Sequence, residues 1–435
     1  MYKDGHKVDI LFLIEHRDRE LDAVCAIAKE LKQKYGLSVA IASLLFHALI
    51  AAILIRPKVI VVPFGRQESD FPLGLFRAIY GDKVTYVNMN LEQALSPVNR
   101  DYKKPRDQFS KLILKHFCWS KTFKKYLTDN GVIENNIYLT GNPATTLLIR
   151  MESSQIYLLK YHIAEKFRLP LNCKWCFFPM NCGWAFISDY HIRARIKDGY
   201  DEKKAWAYKS YLNKTLNIIF KWIAAAKDEM KNRNIIIILR PHPSVSVQQY
   251  KERFQEVVGY VPDYVYILKD LTVKEWLIIS DACYTNFSTV ALDAKIIGKP
   301  TYLMEPEPFP DFLQMDWHKI FSKLSSSNDL FASLKEKSFV SSIKSLPILN
   351  NYVDISLDGI SESAKYLAQF AKERYFPCWS LFGLLKGVIS SLRSSLGSFA
   401  RLFSVVSGFN PFQVLKPGIR SDFFNKRDVL RLLNN

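Results

Sequence analysis

Ile235-Ile236-Ile237-Ile238-Leu239-Arg240-Pro241-His242-Pro243-Ser244 is the stretch that decides the fold. An unbroken run of β-branched residues has no polar alternation, the pattern of a strand covered on both faces in a parallel sheet. A proline-rich turn follows at once, so Arg240, His242 and Pro243 fall at the strand's end. Ala282–Thr285 repeats the arrangement: a short strand, then Asn286-Phe287-Ser288-Thr289, then the helix-like run Val290–Ile297. Two strand ends bearing polar side chains point to the carboxyl edge of one parallel sheet, where open α/β proteins bind ligands. An Arg, a His and a Ser-Thr pair at a helix start suit a phosphate-bearing ligand.

Working outward, the pattern of strand then helix extends in both directions. Strands are expected at Val8–Ile14, Leu37–Ala42, Val59–Pro63, Val84–Asn88, His116–Trp119 and Asn136–Thr140. Helices are expected between them at Asp18–Tyr35, Ser43–Ile55, Asp70–Tyr80 and Ser120–Gly131. A second series begins at Trp175–Phe178, continues through a long helix over Asp201–Asn232, and ends at the strand Thr301–Met304. The expected class is α/β, with two doubly wound Rossmann-like domains facing across a cleft. Residues 1–150 form the acceptor-side domain, 151–174 an interdomain segment, 175–376 the nucleotide-donor domain and 377–435 a helical tail.

The tail differs in composition. Apolar residues recur at 381, 385, 388, 392, 396, 399, 403 and 406, the spacing of one helical face. Lys386, Arg393 and Arg401 fall near one another on another face, and no Asp or Glu occurs between Arg374 and Arg420. Such a helix is suited to the interface of an anionic membrane. The whole chain carries 60 Lys and Arg against 42 Asp and Glu, a formal net charge of +18. Phosphate-rich ligands and a membrane surface account for that charge, and no nucleic-acid-binding signature accompanies it. No apolar run is long enough to span a bilayer, and the N-terminus lacks a signal-peptide core. The seven cysteines are scattered. Cys173 and Cys176 have CxxC spacing without a second pair, so buried thiols are expected rather than a metal site.

In the donor-side domain the candidate binding residues are Arg240, His242, Pro243, Ser288, Thr289 and Glu305. Pro241 and Pro243 stiffen the backbone about His242. Ser288 and Thr289 are expected N-caps whose neighbouring N–H groups can hold phosphate. Asp293, one helical turn on, is a candidate to orient Thr289. In the first domain Glu15-His16-Arg17-Asp18-Arg19-Glu20 follows the first strand, and Glu92 follows the fourth. Glu15, His16 and Glu92 are the candidate bases for an acceptor hydroxyl. The absence of GxGxxG disfavours a dehydrogenase-type dinucleotide site. Gly141-Asn142-Pro143 is expected to form a tight turn at the cleft.

"RPHPS" with "SDACYTNFSTVALDAKIIGKPTYLME" resembles the C-terminal domain of GT-B-fold transferases of bacterial surface polysaccharides. The His-Pro pair with a Ser-Thr pair is similar to the cytidine-nucleotide site of sialyltransferases, capsular Kdo transferases and CDP-glycerol glycerophosphotransferases. "LFLIEHRDREL" and "YLTGNP" resemble a surface-carbohydrate biosynthesis family, and "TGNP" is also similar to non-hydrolysing UDP-N-acetylglucosamine 2-epimerases. The epimerase Ser-Gly-Gly before a paired-glutamate helix is missing, since the chain reads Asn286-Phe287-Ser288-Thr289 there. The acidic motif of sialyltransferase-like first domains is not recognisable either. The resemblance implies that His242 and Pro243 contact the base or phosphate of a nucleotide and that Ser288 and Thr289 bind phosphate. It implies a metal-independent glycosyltransferase with no cofactor, the nucleotide sugar being a substrate, preferably cytidine-linked. The expected acceptor is a glycan or lipid-linked glycan at the inner face of the cytoplasmic membrane. Two alternatives stand beside it: transfer of a polyol phosphate from a CDP-linked donor, and a non-catalytic scaffold of the same fold.

Overall fold

The computed structural model describes residues 6–197, 200–335, 347–407, 419 and 422–434. The chain forms two compact units. One comprises Met1–Leu95, Asn99–Leu147 and Leu349–Asn435, the other Ser96–Val98 and Leu148–Ile348.

The sheet of the first unit contains β1 (His6–Ile14), β2 (Val39–Ser43), β3 (Ile55–Val62), β4 (Thr85–Asn88), β5 (Lys115–Cys118) and β6 (Ile137–Leu139), in the order β2-β1-β3-β4-β5-β6. Every pairing is parallel, with Ile10 of β1 opposite both Val39 and Val59. The chain moves to one side of β1 for β2 and to the other for β3. That reversal opens a crevice at the carboxyl ends of β1 and β3.

The second unit contains β7 (Lys174–Pro179), β8 (Ile235–Arg240), β9 (Val265–Ile267), β10 (Ala282–Thr285), β11 (Thr301–Met304) and β12 (Ser322–Leu324). Their order, β12-β11-β10-β7-β8-β9, is the 3-2-1-4-5-6 arrangement of dinucleotide-binding sheets counted from β7. Here the reversal lies between β7 and β10. Alternation explains the continuous apolar runs. Cys176, Phe178, Ile235, Ile237 and Leu239 pack into the core on one face. Trp175, Phe177, Ile236 and Ile238 pack into the core on the other. Each fully buried isoleucine of β8 contributes about 1.5–3 kcal/mol.

The expected strands are all present, with ends shifted by a few residues. Strand β12 was not expected, because only Leu324 of its three residues is buried and Ser322 and Lys323 give no apolar signal. Two helices are shorter than their patterns. Ser43–Ile55 resolves into a strand end, a turn and the helix Ala48–Leu54, because Ile55, Arg56 and Pro57 pair with β1. Asp201–Asn232 breaks at Ala226 into Glu202–Ala225 and Lys227–Arg233.

The expected domain boundaries need correction at two places. The segment 151–174 is not a linker between domains. Its helix Ser153–Phe167 buries Ile163 and Ala164 in the core of the second unit. The boundary at residue 376 falls too late. Helix Gly359–Lys372 packs on helix Arg17–Tyr35, with Ile360, Leu367 and Phe370 in the core of the first unit. The Gly141-Asn142-Pro143 turn is what receives this helix. A Cβ on Gly359 would lie 2.4 Å from the Asn142 carbonyl carbon, and the Gly359 N–H donates to Thr146 Oγ1 at 2.8 Å. The turn seats the returning chain, and Gly141 (φ 74°) supplies its left-handed residue.

The tail is two helices, Leu381–Ser390 and Leu392–Ser407. Gly383 and Gly387 face helix Leu73–Tyr80, where a Cβ on Gly383 would lie 2.3 Å from the Ala78 carbonyl oxygen. Seven of the eight positions on the predicted apolar face are exposed, Val388 being the exception because it packs on the core of the first unit. Lys386 is exposed, whereas Arg401 is half-buried and its Nε donates to the Leu45 carbonyl. The Arg393 side chain and residues 408–418 of the expected tail lie outside the described residues. Further on in the same unit, Phe424 is buried and helix Lys426–Asn434 packs on helix Arg17–Tyr35. No described helix is long and apolar enough to cross a membrane.

Candidate functional site

The reversal point of the first unit is an open pocket of about 230 Å³. Glu15 and His16 line it from the end of β1, Phe64 to Arg66 from the end of β3, and Asn88, Asn90 and Glu92 from the end of β4. The three candidate bases named from sequence, Glu15, His16 and Glu92, therefore share one cavity.

Local structure explains how each is held. His16 occupies the N-cap position of helix Arg17–Tyr35 with an extended backbone (φ −115°, ψ 109°) and makes no side-chain cap. Its ring is free to turn elsewhere, and Nδ1 lies 3.3 Å from Asp422 Oδ2. Burial works against a charged His16, but the Asp422 hydrogen bond and the Glu15 carboxylate outweigh it and raise the imidazole above its ordinary value. Glu92 is half exposed and pairs with Lys103. Enclosure by its neighbours pushes its carboxyl up, but Lys103, Arg19 and His16 together hold it below the usual carboxylate range. Glu92 is thus held as an anion, a weaker base than an imidazole whose proton affinity is raised.

Glu20 was not singled out from sequence. It is 4% exposed, lines the same pocket, and accepts the Glu15 N–H at 2.8 Å. Burial pushes its carboxyl up to about 7, against the pull of His16, Arg19 and the backbone bond. The group therefore exchanges a proton near neutral pH. Its signal in the sequence was hidden, because an acidic residue in a first helical turn reads as a dipole partner. The cations at the pocket are largely engaged. Arg66 binds Asp70 through Nε and Nη2, and its guanidinium stacks on Tyr102 at 4.5 Å. Asn88 Nδ2 holds the Gly65 carbonyl at 3.0 Å, and Asn90 adopts φ 48° to place its amide against the Phe117 carbonyl.

The second unit's reversal point is built differently. Asn286, after β10, and Asn181, after β7, bond reciprocally: Asn181 N–H donates to Asn286 Oδ1 at 3.1 Å, and Asn286 Nδ2 donates to the Asn181 carbonyl at 3.2 Å. Asn181 was not singled out in the sequence, and Asn286 was quoted only as part of the motif around Ser288 and Thr289, with no role of its own. Beside them, His242 Nδ1 contacts Ser244 Oγ at 2.8 Å and accepts the Ser244 N–H at 3.2 Å. A Cβ on Gly183 would lie 2.7 Å from His242 Nδ1 and 2.9 Å from Ser244 Oγ. The β7 loop thus approaches the His242 turn so closely that a Cβ at 183 would have to displace the His242 or Ser244 side chain. His242 is half-buried, and Pro243 is exposed.

Three expected roles change at this edge. Arg240 is buried, with Nη1 and Nη2 donating to the Lys269 and Leu271 carbonyls at 3.2 and 2.8 Å. Its guanidinium is engaged in holding the turn after β9, where Leu271 takes φ 66°, rather than standing free for a diphosphate. Glu305 is likewise tied down: Oε1 accepts the Phe309 N–H at 3.0 Å and Oε2 pairs with Lys323 at 2.6 Å. Thr289 is not a side-chain N-cap. It already has helical angles (φ −61°, ψ −11°) and makes no cap bond, and Ser288 Oγ accepts only a long bond of 3.4 Å from the Val290 N–H. Both hydroxyls therefore remain weakly engaged within this loop. Asp293 lies on that helix, and burial pushes its carboxyl up to about 6.

Cys176 and Cys182 are core residues whose thiols burial pushes up to about 12. Among the described residues no group of three or more His, Cys, Asp or Glu is placed to hold a metal ion.

No protein-family profile matches the chain, and no curated protein matches it in sequence. Solved structures do match. The wall teichoic acid polymerase TagF soaked with CDPG is 13% identical, with a TM-score of 0.54 over 84% of this chain and 89% of that one. The UDP-GlcNAc 2-epimerase of Neisseria meningitidis bound to UDP-GlcNAc is 13% identical, with a TM-score of 0.50 over 84% of this chain and all of that one (100%). MnaA of S. aureus with UDP is 14% identical, with a TM-score of 0.50 over 86% of this chain and 100% of that one. The two parallel six-stranded sheets and these neighbours define a two-domain GT-B fold.

Proposed function

We propose that the protein is a glycosyltransferase that moves a sugar from a nucleotide-sugar donor to a surface polysaccharide or lipid-linked glycan. The observation that carries this reading is the clustering of Glu15, His16, Glu20 and Glu92 around one open pocket at a sheet reversal point. That pocket suits an acceptor hydroxyl and a group to take its proton. The donor nucleotide is assigned to the other sheet, at the ends of β7, β8 and β10. There the weakly engaged Ser288 and Thr289 hydroxyls are assigned to the phosphate, on the same sheet edge as the His242–Ser244 turn. A cytidine-linked donor is favoured because the RPHPS and NFST motifs resemble cytidine-nucleotide sites. The reading needs no cofactor and no bound metal.

A second reading, transfer of a polyol phosphate from a CDP-linked donor, draws on the likeness to TagF soaked with CDPG. Thermal stabilisation by saturating CMP, CDP, UDP and GDP tests both. A shift selective for CMP or CDP that vanishes in a folded His242→Ala, Ser288→Ala double variant is expected. Product analysis with CDP-linked polyol and CMP-linked sugar donors then separates the two. No shift with any nucleotide overturns both in favour of a scaffold.

The site of action is assigned to the cytoplasmic face of a membrane. Support comes from the helices Leu381–Ser390 and Leu392–Ser407, where Phe382, Ile389 and Val406 are 78%, 72% and 76% exposed. Large apolar side chains on an outward face, with no acidic residue from Arg374 to Arg420, complement an anionic bilayer. Flotation with phosphatidylglycerol vesicles, and loss of flotation in Leu396→Glu, Phe399→Glu, is the expected result. Equal recovery with and without vesicles overturns the assignment.

A further inference from the structure

We propose that Asp422 is a positioning residue that sets His16 as the base for the acceptor hydroxyl. The proposal rests on reading the pocket of the first unit as the acceptor side.

The two residues are far apart in sequence and meet only through the return of the chain. His16 stands between β1 and helix Arg17–Tyr35, and Asp422 opens the segment that precedes helix Lys426–Asn434. That segment is anchored on both sides of the contact. The Asp422 N–H donates to the Ile419 carbonyl at 3.1 Å, Phe424 is 2% exposed in the core, and Asp428 pairs with Arg17 at 3.3 Å. Asp422 itself is largely buried, so its carboxylate is poorly placed to be satisfied by water alone. An aspartate serving only to tie down the C-terminal segment would duplicate what Phe424 and Asp428 already do.

The geometry selects one tautomer. With Nδ1 facing Asp422 Oδ2 at 3.3 Å, the proton resides on Nδ1 and Nε2 is left as the basic nitrogen. Nε2 is 3.9 Å from Glu15 Oε2, beyond hydrogen-bond distance. In the transfer step the acceptor O–H proton moves to Nε2 and the oxygen bonds to the donor's anomeric carbon. The carbon–oxygen bond to the leaving phosphate breaks with its electron pair remaining on the phosphate. The resulting imidazolium is stabilised by the Asp422 carboxylate, the division of labour of an Asp–His pair. Glu15, Glu20 and Glu92 also bear on the charge of His16 from the pocket side, and Arg19 opposes it, while the neighbouring Arg17 is paired with Asp428.

The test is an NMR titration of the His16 imidazole in the full-length protein, assigned by its loss in His16→Gln. Asp422→Asn is expected to lower the His16 midpoint and to reduce the Nδ1–H tautomer. Asp428→Asn, which cuts the neighbouring Arg17 pair, is expected to leave both unchanged. Asp422→Glu keeps a carboxylate and holds the midpoint above that of the Asn variant. Should Asp422→Asn fail to fold, the comparison of Asp422→Glu with Asp422→Ser replaces it. An unchanged midpoint and tautomer in Asp422→Asn overturns the proposal, and so does an equal shift in Asp428→Asn, which would mark simple detachment of the segment. None of these readouts needs a donor, so their failure is distinct from failure of the nucleotide thermal shift.

Discussion

The two sheet edges of this protein share a plan and differ in what they leave free. Both place a reversal of strand order at the sheet's carboxyl edge, between β1 and β3 in one unit and between β7 and β10 in the other. In the first, titratable side chains line an open pocket, and two of them, His16 and Glu20, sit above their ordinary values. In the second, charged side chains are already engaged: Arg240 by two backbone carbonyls, Glu305 by the Phe309 N–H and the Lys323 ammonium. A group that must move a proton needs an environment that leaves it undecided. A group that shapes a binding loop needs one that leaves it no choice. The same kind of edge therefore leaves titratable groups facing a pocket in one unit and locks charged groups into the loops of the other.

The largest expected effect tests the first half of that contrast. His16→Ala should reduce transfer by roughly 10²–10⁴-fold, the usual contribution of a general base, while the nucleotide thermal shift is retained. Loss of nucleotide binding in a folded variant would mean the two edges do not divide the work. Arg240→Ala should do the opposite. Removing a buried guanidinium that satisfies two carbonyls should cost about 3–5 kcal/mol and lower the melting temperature. A full-stability variant that merely loses donor binding would restore Arg240 to the ligand.

Glu20→Gln sharpens the comparison through pH. The folded carboxyl titrates at about 7 against an ordinary 4.5, so between those values the folded state keeps a proton that the unfolded state releases. Its contribution is fully present below pH 4.5 and is lost as pH rises to 7, on the order of 3 kcal/mol in all. Urea denaturation should therefore show Glu20→Gln more stable than the parent at pH 8 and little different at pH 4.5. Thr289→Ala gives the smallest effect on stability. An ordinary cap loss costs ~1 kcal/mol, but Thr289 makes no cap bond, so chemical denaturation should register less than about 0.5 kcal/mol. Ser246→Ala, which breaks a capping box on helix Val247–Val258, is the control expected to show the full cost.

Some of this organisation is written in short-range pattern. The runs Val8–Ile14 and Ile235–Leu239 are strands because a β-branched apolar run of that length has few other ways to be buried. The polar residues just after them must then fall at one edge of a sheet, which is why Glu15, His16 and His242 could be picked out. Apolar spacing along Leu381–Val406 likewise identified the face that the structure exposes. What a residue does at that edge was not legible locally. Arg240 is a phosphate ligand or a loop clamp depending on where the Lys269–Leu271 carbonyls lie, and Thr289 is a cap or not depending on one backbone turn. Asp422 meets His16, which lines the pocket, only because the chain returns to the first unit's sheet edge some four hundred residues later. Sequence by itself determined which segments are buried and with what period, since that depends on side-chain chemistry and spacing alone. Tertiary structure alone decided which polar groups meet, because a proton's affinity and a hydrogen bond's partner are set by distances of a few ångströms between residues that the chain keeps far apart.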